Sequence, residues 1–311
     1  MDYTLLVMTV LAAAITAGTP LLYAALGEIL AERTGVLNLG IEGMMLVGAV
    51  VSFMVCISTG SAWYGLLAGM AAGGAMASIH ALLCITFKAN QVVSGLALTI
   101  FGIGLSGFLG KTIIGTPAPD TFTRIPLPIL SDIPFLGQIL FNQDILVYFS
   151  YILVPSIWFF IYKTNPGLKM RAVGENPGAA DALGINVFLT RYIYVIIGGV
   201  FSGIAGAYLA LALVPSWSEG MTAGMGWIAI ALVIFAMWNP PRAMLGAYLF
   251  GAVSALGFRL QAIGVDISPY FLNMLPYLFT IAVLIFATIR TRKNRLGAPK
   301  ALMQAYDRED R

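Results

Sequence analysis

The chain has 311 residues, of which 59% are hydrophobic and only 10% are charged. A soluble domain usually carries about 25% charged residues, so most of this chain cannot face water. The net charge of +3 is small, and no basic cluster resembles a groove for nucleic acid. The composition therefore excludes a soluble globular protein and predicts one that crosses a membrane.

Nine apolar stretches suit membrane helices, because each crossing needs roughly 20 mostly apolar residues. In chain order they are Thr4–Leu26, Leu39–Ile57, Ala62–Phe87, Val92–Gly110, Ile145–Tyr162, Tyr192–Val214, Gly224–Trp238, Ala243–Phe258 and Tyr270–Ile289. The seventh and eighth are short, which is typical of broken or tilted helices. The sequence predicts an all-α, polytopic membrane protein with about nine crossings, in a range of eight to ten, and one membrane domain over residues 1–311.

Small residues recur at every fourth position in three of these stretches. They are Gly65, Gly69 and Gly73; Gly102, Ser106 and Gly110; and Gly198, Ser202 and Gly206. Lipid gives apolar side chains no reason to associate, so such stripes serve to let helix backbones approach closely. The pattern predicts a compact bundle and does not indicate a particular solute.

A loop over residues 111–144 joins the fourth and fifth stretches and is rich in proline and acidic residues. Packing as a cap, docking of an external partner and a solvated connector are all consistent with it. At its start, Gly110-Lys111-Thr112 resembles the end of a phosphate-binding loop, but Leu105 stands where that motif needs glycine. We therefore expect no ATP site in this chain. No pairing of a nucleophile with a base stands out, so we expect no catalytic residue either. The single histidine, His80, lies in an apolar stretch, so no metal role is expected for it.

A second loop, over residues 163–191, reads NPGLKMRAVGENPGAADALGINVFLTR from Asn165 to Arg191. Pro177 suits the first turn of a helix, Asn176 its N-cap and Gly184 its end. The residues between them favour a short helix over about Pro177–Leu183, and a capped surface turn is the alternative. The small side chains of such a helix would fit a groove on another protein.

The distribution of Lys and Arg predicts the orientation, since cytoplasmic loops carry an excess of both. With nine crossings and the C-terminus inside, 14 of the 17 basic residues fall in cytoplasmic segments. These include the 163–191 loop and a basic tail over residues 290–311, while the outer exceptions are Lys111, Arg124 and Arg259. The sequence predicts an N-terminus outside the cell and a C-terminus in the cytoplasm.

Four segments make the chain similar to a known family. RAVGENPGAADALGI, at Arg171–Ile185, resembles the coupling-loop pattern RAVGENPxAAxxxGI of permeases in the branched-chain amino acid, ribose and nucleoside group of ABC importers. GEILAERTGVLNLGIEGMMLVGA, at Gly27–Ala49, resembles the nucleoside branch of that group, the guanosine and uridine type. The segments Gly220–Pro240 and Met274–Ile281 follow in the family's order, so the resemblance spans nearly the whole chain. Met225 stands where relatives often have arginine, so no charge-based role is expected there.

The resemblance implies a permease of the type II importer kind, which translocates nucleosides or a related sugar-containing solute by alternating access. It implies a second, similar permease subunit in a heterodimer, a tandem ABC ATPase subunit that binds ATP and Mg, and an extracytoplasmic substrate-binding lipoprotein. This chain would then hold no cofactor of its own, and its direct neighbours would be these proteins and membrane lipid. The residues that match the coupling pattern, and are expected to meet the ATPase, are Arg171, Gly174, Glu175, Asn176, Ala179, Ala180 and Gly184.

Polar residues inside membrane helices are costly, which makes them candidates for the translocation path. The candidates are Asn38, Glu42, Gln91, Ser94 and Asn273. They could bond a hydroxyl-rich solute, and hydrogen bonding between helices is at least an equal alternative. Glu28 and Glu32, one helical turn apart beside Arg33, are expected to form an ion pair at the cytoplasmic edge.

Other functions stay open at this point. Simple sugars and branched-chain amino acids are alternative solutes within the same family. A secondary transporter driven by an ion gradient would need charged residues in mid-span, and these are sparse. A membrane enzyme acting on lipid would need a cluster of ionisable side chains, which one histidine in 311 residues makes a poor fit.

Overall fold

The computed structural model describes residues 3–262, 271, 274–282, 285 and 297–308. The helices are α1 (Tyr3–Glu32), α2 (Ile41–Thr59), α3 (Ala62–Ala81), α4 (Gln91–Gly110), α5 (Leu136–Leu140), α6 (Ile145–Lys163), α7 (Asn165–Glu175), α8 (Pro177–Ala182), α9 (Val187–Tyr208), α10 (Met225–Ala236) and α11 (Pro240–Ala262). Two π-helical segments, Leu82–Thr86 and Leu209–Leu213, extend α3 and α9. Residues 274–282 are also helical.

Six of these helices are long and apolar enough to cross a membrane. They are Val7–Glu32, Ile41–Thr59, Ala62–Thr86, Gln91–Gly110, Ile145–Lys163 and Val187–Leu213. They correspond to the first six predicted stretches, although the sixth begins five residues earlier than predicted because α9 starts at Val187. The mostly helical membrane fold is confirmed.

The last three predicted stretches give a mixed result. The seventh forms α10, whose 12 residues span about 18 Å and are too few to cross a bilayer alone. The eighth forms α11, which has 23 residues and is longer than predicted. The ninth is helical over residues 274–282, and its remaining residues lie mostly outside the described ones. The count of about nine crossings stays a prediction.

Helices α2 and α9 form the centre of the bundle. In each of them 72% of the residues in the apolar stretch that could span a membrane are buried, against 33% in α4 and α6. Helix α3 packs along α9 at Gly73, where an added Cβ atom would lie 2.2 Å from the carbonyl oxygen of Gly199. The predicted stripe on α3 therefore permits a close backbone contact, as is usual between membrane helices.

The 111–144 loop packs onto the bundle as a cap. Its strands β1 (Arg124–Pro126) and β2 (Asn142–Asp144) pair antiparallel, a small departure from the predicted all-α fold. The Phe122 amide donates to the Leu211 carbonyl at 3.0 Å, and Asp120 accepts from the Ala62 amide at 2.8 Å, at the start of α3. Of the alternatives weighed from the sequence, a solvated connector does not fit these contacts.

The two ends of the bundle differ in their charge. At the cap, Gln143 donates to the Ala12 carbonyl at 3.3 Å, so α1 begins on that side. At the opposite end, which we call the basic end, Lys88 pairs with Asp307 and Arg191 donates to the Gln304 carbonyl at 3.1 Å. Segments predicted to share the cytoplasmic side thus meet at one end. That this end faces the cytoplasm stays a prediction.

The α3–α9 contact makes Gly73 intolerant of a side chain. We expect Gly73→Ala to lower the melting temperature of the detergent-purified protein, because the added Cβ would force the two backbones apart. Gly104→Ala is the matched control, since its Cβ would meet nothing within 4 Å. Removing a helical glycine there stabilises by roughly 0.5–1 kcal/mol. Equal melting temperatures for the two variants would refute this packing.

Candidate functional site

Helix α1 is followed by a turn over residues 33–35 and then by residues 36–40, which lead into α2. Residues 36–40, which we call the 36–40 link, are not helical although they lie inside the bundle. Side chains from the surrounding helices bind its backbone amides. The Leu37 amide donates to Oε1 of Gln91 at 2.8 Å, and the Asn38 amide donates to Oε1 of Glu28 at 2.8 Å. The Gly40 amide donates to Oδ1 of Asn38 at 2.9 Å.

The carbonyl groups of the same link are bonded as well. Nε2 of His80, on α3, lies 3.0 Å from the Leu37 oxygen, and Thr99, on α4, donates to the Leu39 oxygen at 2.9 Å. The other histidine nitrogen, Nδ1, lies 3.0 Å from the Ser94 hydroxyl. Because a carbonyl can only accept, the Nε2 of His80 carries a proton; in the neutral imidazole Nδ1 then accepts from the Ser94 hydroxyl.

These bonds have a common physical reason. Non-helical backbone at membrane depth is tolerated only where the protein itself satisfies its polar groups, since lipid offers no hydrogen bonds. Helix α4 reaches the link closely because it carries Gly95, where an added Cβ would lie 2.7 Å from the Leu39 nitrogen. The polar side chains of α1, α3 and α4 thus supply what water would supply elsewhere.

A second set of bonds surrounds Glu42, in the first turn of α2. Its Oε1 accepts from the Thr222 hydroxyl and, at 2.8 Å, from the Gly224 amide. Its Oε2 accepts from the Gly226 amide at 2.6 Å. These amides belong to the start of α10, so a buried carboxyl group lies between the N-termini of two helices, where helix dipoles favour negative charge.

Helix α10 therefore starts within the bundle. Its other end lies at the basic end, because the Trp238 indole donates to Glu32 and the Trp238 carbonyl accepts from Arg33 at 3.2 Å. With a length of about 18 Å, its N-terminus lies that far into the bundle. A helix that begins at membrane depth leaves orphan amides, and Glu42 satisfies two of them.

The structure brings together four of the five predicted path residues. Asn38 is part of the 36–40 link, Gln91 and Ser94 lie beside it, and Glu42 follows it in the first turn of α2. Each is bonded to the protein itself, as the helix-bonding alternative expects. Asn273 lies outside the described residues, and a role of any of these residues in the path stays a prediction.

Sequence reasoning missed the other members of the network, which are His80, Glu28 and Thr99. No local pattern identifies them, because their partners in the 36–40 link are chosen by packing. The expected ion pair of Glu28 and Glu32 with Arg33 is not formed. Arg33 instead donates to the Tyr162 hydroxyl at 2.8 Å, since α6 ends beside it.

The predicted short helix is present at the basic end as α8. Asn176 is its N-cap, with Oδ1 accepting from the Ala179 amide at 3.0 Å, and Pro177 is its first residue. Gly184 follows it with φ of +81°, a conformation that favours glycine. The helix ends at Ala182, one residue earlier than predicted, and α7 before it was not predicted.

The residues that match the coupling pattern divide into two groups. Glu175, Asn176, Ala179 and Gly184 are exposed, whereas Gly174 and Ala180 are buried. Ala180 belongs to a buried apolar cluster with Val173 and Val187, and Tyr306 of the same chain packs against this cluster. The guanidinium carbon of Arg171 lies 5.5 Å from the centre of the Tyr162 ring, a cation–π contact.

The described residues hold no group of three or more His, Cys, Asp or Glu that could bind a metal.

Comparison with known proteins gives consistent results. Residues 10–295 match the family described as branched-chain amino acid transport system, permease component. A Haloferax volcanii protein, TsgC13, provisionally named a glucose ABC transporter permease, is 46% identical over 96% of this chain and 97% of its own length. The guanosine ABC transporter permease protein NupQ of Bacillus subtilis is 37% identical over 97% of each chain. A further guanosine permease protein of that organism, NupP, is 26% identical over 78% of this chain and 73% of its own.

Among solved structures, a transporter provisionally described as a metal-chelate type ABC transporter, in an inward-facing conformation, has a similar fold. The TM-score is 0.52 at 16% identity, over 89% of this chain and 85% of that one. At this identity the likeness concerns the fold alone.

The Glu42 bonds predict a strong effect of removing its carboxyl group. We expect Glu42→Ala to destabilise the protein by on the order of 3 kcal/mol, because it leaves buried donors without partners. A clear fall in melting temperature in detergent would report this loss. Glu219→Ala is the matched control, since Glu219 is exposed near the same segment. If both variants melt like the parent protein, Glu42 does not hold the start of α10.

Proposed function

Because this chain belongs to the family of branched-chain amino acid transport system permease components, we propose that it forms the membrane pathway of an ABC importer for nucleosides. As an ABC transporter permease it is a multi-pass protein of the plasma membrane. The nucleoside is the proposed part. The similarity to the guanosine permease protein NupQ, over 97% of both chains, carries it.

The chemistry of the described bundle agrees with a neutral solute. Its buried ionisable groups are engaged with the protein: Glu28 and Glu42 bind backbone amides, Glu32 binds Trp238, and Arg191 binds the Thr34 and Gln304 carbonyls. An anionic solute would need a positive partner inside the membrane, whereas the buried Arg191 lies at the basic end, where its Nε and Nη1 donate to carbonyl groups. A nucleoside needs hydrogen bonds rather than a counter-charge.

A sugar is the second candidate solute. It is favoured by the 46% identity to the Haloferax protein, which is higher than that to NupQ. Nucleosides contain a sugar, so a hydroxyl-binding path serves both classes. Branched-chain amino acids carry two charges and fit a neutral path less well.

The proposed assembly contains several proteins. Bacillus subtilis has two guanosine permease proteins, both similar to this chain, which supports a heterodimer of two related permeases. A tandem ATPase would bind ATP and Mg below this dimer, and a lipoprotein would deliver the solute above it. Closure of the ATPase would switch the pathway between outward and inward access, and Asn38, Glu42, Gln91 and Ser94 would keep the starts of α2 and α10 in place.

The topology proposed for this assembly has nine crossings, with the N-terminus outside and the C-terminus inside. The single membrane domain over residues 1–311 would carry the coupling loop, residues 163–191, and the basic tail, residues 290–311, on the cytoplasmic side. Support comes from the basic end, where Arg33, Lys88 and Arg191 gather.

Helix α8 is the proposed contact with the ATPase. It is short, capped at both ends, and followed by Leu183, whose surface is 82% exposed. An apolar side chain so exposed at the polar end of the bundle is suited to be covered by a protein partner. Ala179 lies on the exposed side of α8, whereas Ala180 faces its own chain. Ala179 and Leu183 would therefore touch the ATPase, and Ala180 would seat the helix.

The solute is tested with the complete transporter in proteoliposomes, with this chain, its second permease, the ATPase and the lipoprotein. We expect radiolabelled guanosine to accumulate in the lumen of liposomes whose ATPase faces inward, and only when the lumen contains ATP. Glucose and leucine are the comparison solutes. ATP-dependent accumulation of glucose without guanosine would replace the nucleoside by a sugar. Uptake by this chain alone, driven by a sodium or proton gradient, would contradict the ABC mechanism.

The contact with the ATPase is tested by Ala179→Trp. A bulky exposed side chain on α8 should prevent docking, so the ATPase should no longer co-purify with the permease and ATP-driven uptake should be lost. The melting temperature of the isolated permease should not change, because Ala179 is exposed and a larger side chain there can point away from the bundle.

Ala89→Trp is the matched control, since Ala89 is exposed at the same end of the bundle, between α3 and α4. It should leave co-purification intact. Equal loss in the two variants, or normal uptake with Ala179→Trp, would argue against α8 as the specific contact.

A further inference from the structure

The segment over residues 299–308, which we call the C-terminal segment, crosses the basic end and binds three separate elements. The Ala301 amide donates to the Gly174 carbonyl of α7 at 2.9 Å. The Met303 amide donates to the Gly35 carbonyl, in the turn after α1, at 3.2 Å. Arg191 of α9 donates to the Gln304 carbonyl at 3.1 Å.

The same segment holds α8. Tyr306 packs in the cluster that buries Ala180, together with Val173 and Val187. Its ring centre lies 5.6 Å from that of Phe188, at the start of α9. The C-terminal segment therefore forms one wall of the seat on which α8 rests.

An ion pair adds a second contact to α8. Nε of Arg308 lies 3.0 Å from a carboxyl oxygen of Asp181, and 69% of the Arg308 side chain is exposed. Exposed pairs stabilise by less than about 1 kcal/mol, so this pair orients the segment more than it holds it. The packing of the partly buried Tyr306 ring against the cluster that contains Ala180 is the stronger attachment, because it removes apolar surface from water.

The other end of the segment reaches the buried network. Gly35, which accepts from Met303, directly precedes the 36–40 link, and that link leads into α2. A displacement of α8 would move Tyr306, and the segment would carry the displacement to Gly35. Packed cores and interfaces are bistable rather than continuously deformable, so a small shift at Gly35 could select between two arrangements of the start of α2.

We propose that the C-terminal segment is the link that transmits movement of α8 to the start of α2, with Tyr306 as its positioning residue. This inference rests on the proposed function, in which an ATPase moves α8. The segment is then part of the coupling device and not a passive tail. When the contact of the C-terminal segment with α8 is weakened, ATP hydrolysis should continue while less solute is transported per ATP hydrolysed.

Tyr306→Ala tests this link in the reconstituted transporter. The ATPase should still co-purify, because the exposed face of α8 is unchanged, and ATP hydrolysis should stay within about twofold of the parent. Guanosine accumulated per ATP hydrolysed should fall by about tenfold, within the range typical of coupling between sites. Tyr306→Phe keeps the ring and should restore the ratio. Ala305→Ser, a small change at the exposed residue beside Tyr306, should leave the ratio unchanged.

A second measurement does not depend on the solute. In the parent complex, ATP binding should change hydrogen exchange at the Leu37, Asn38 and Gly40 amides, which the buried network protects. In Tyr306→Ala this change should be absent. The same response in both proteins, or an unaltered ratio of transport to hydrolysis, overturns the proposal, as does loss of the ATPase together with transport.

The two proposals fail in different ways. A parent complex that accumulates no guanosine contradicts the nucleoside assignment and leaves the exchange measurement valid. A parent complex that transports guanosine, with an exchange response that Tyr306→Ala does not alter, contradicts the link alone.

Discussion

The fold depends on one constraint, which is that lipid cannot satisfy a backbone amide or carbonyl group. Two places in the bundle would violate it, the non-helical link over residues 36–40 and the start of α10 inside the bundle. Gln91, His80 and Thr99 satisfy the first, and Glu42 satisfies the second. The costly polar residues of this membrane protein are thus placed where its helices are broken.

Broken helices have a mechanical consequence for a transporter. A continuous helix moves as a rod, whereas a helix that starts at membrane depth can shift when its few bonds are rearranged. The starts of α2 and α10 share Glu42, so they are expected to move together. Both lie in segments that resemble the permease family, Gly27–Ala49 and Gly220–Pro240.

In the proposed assembly, the basic end joins this interior to the ATPase that supplies energy. Ala179 of α8 and Leu183, which follows this helix, are exposed, whereas Ala180 lies in the cluster against which Tyr306 packs. The C-terminal segment continues from Tyr306 to Gly35 and so to α2. One continuous set of contacts therefore runs from the proposed ATPase surface to the interior.

The sequence by itself determined the features that act over short distances. Apolar stretches located six crossing helices, and Asn176, Pro177 and Gly184 located α8, because caps and helix signals lie within a turn of the backbone they control. Only the tertiary structure decided which groups meet. Glu42 and Gly226 are 184 residues apart, and no local pattern encodes their contact. The true start of α2, the inward face of Ala180 and the reach of the C-terminal segment likewise depend on packing between distant parts of the chain.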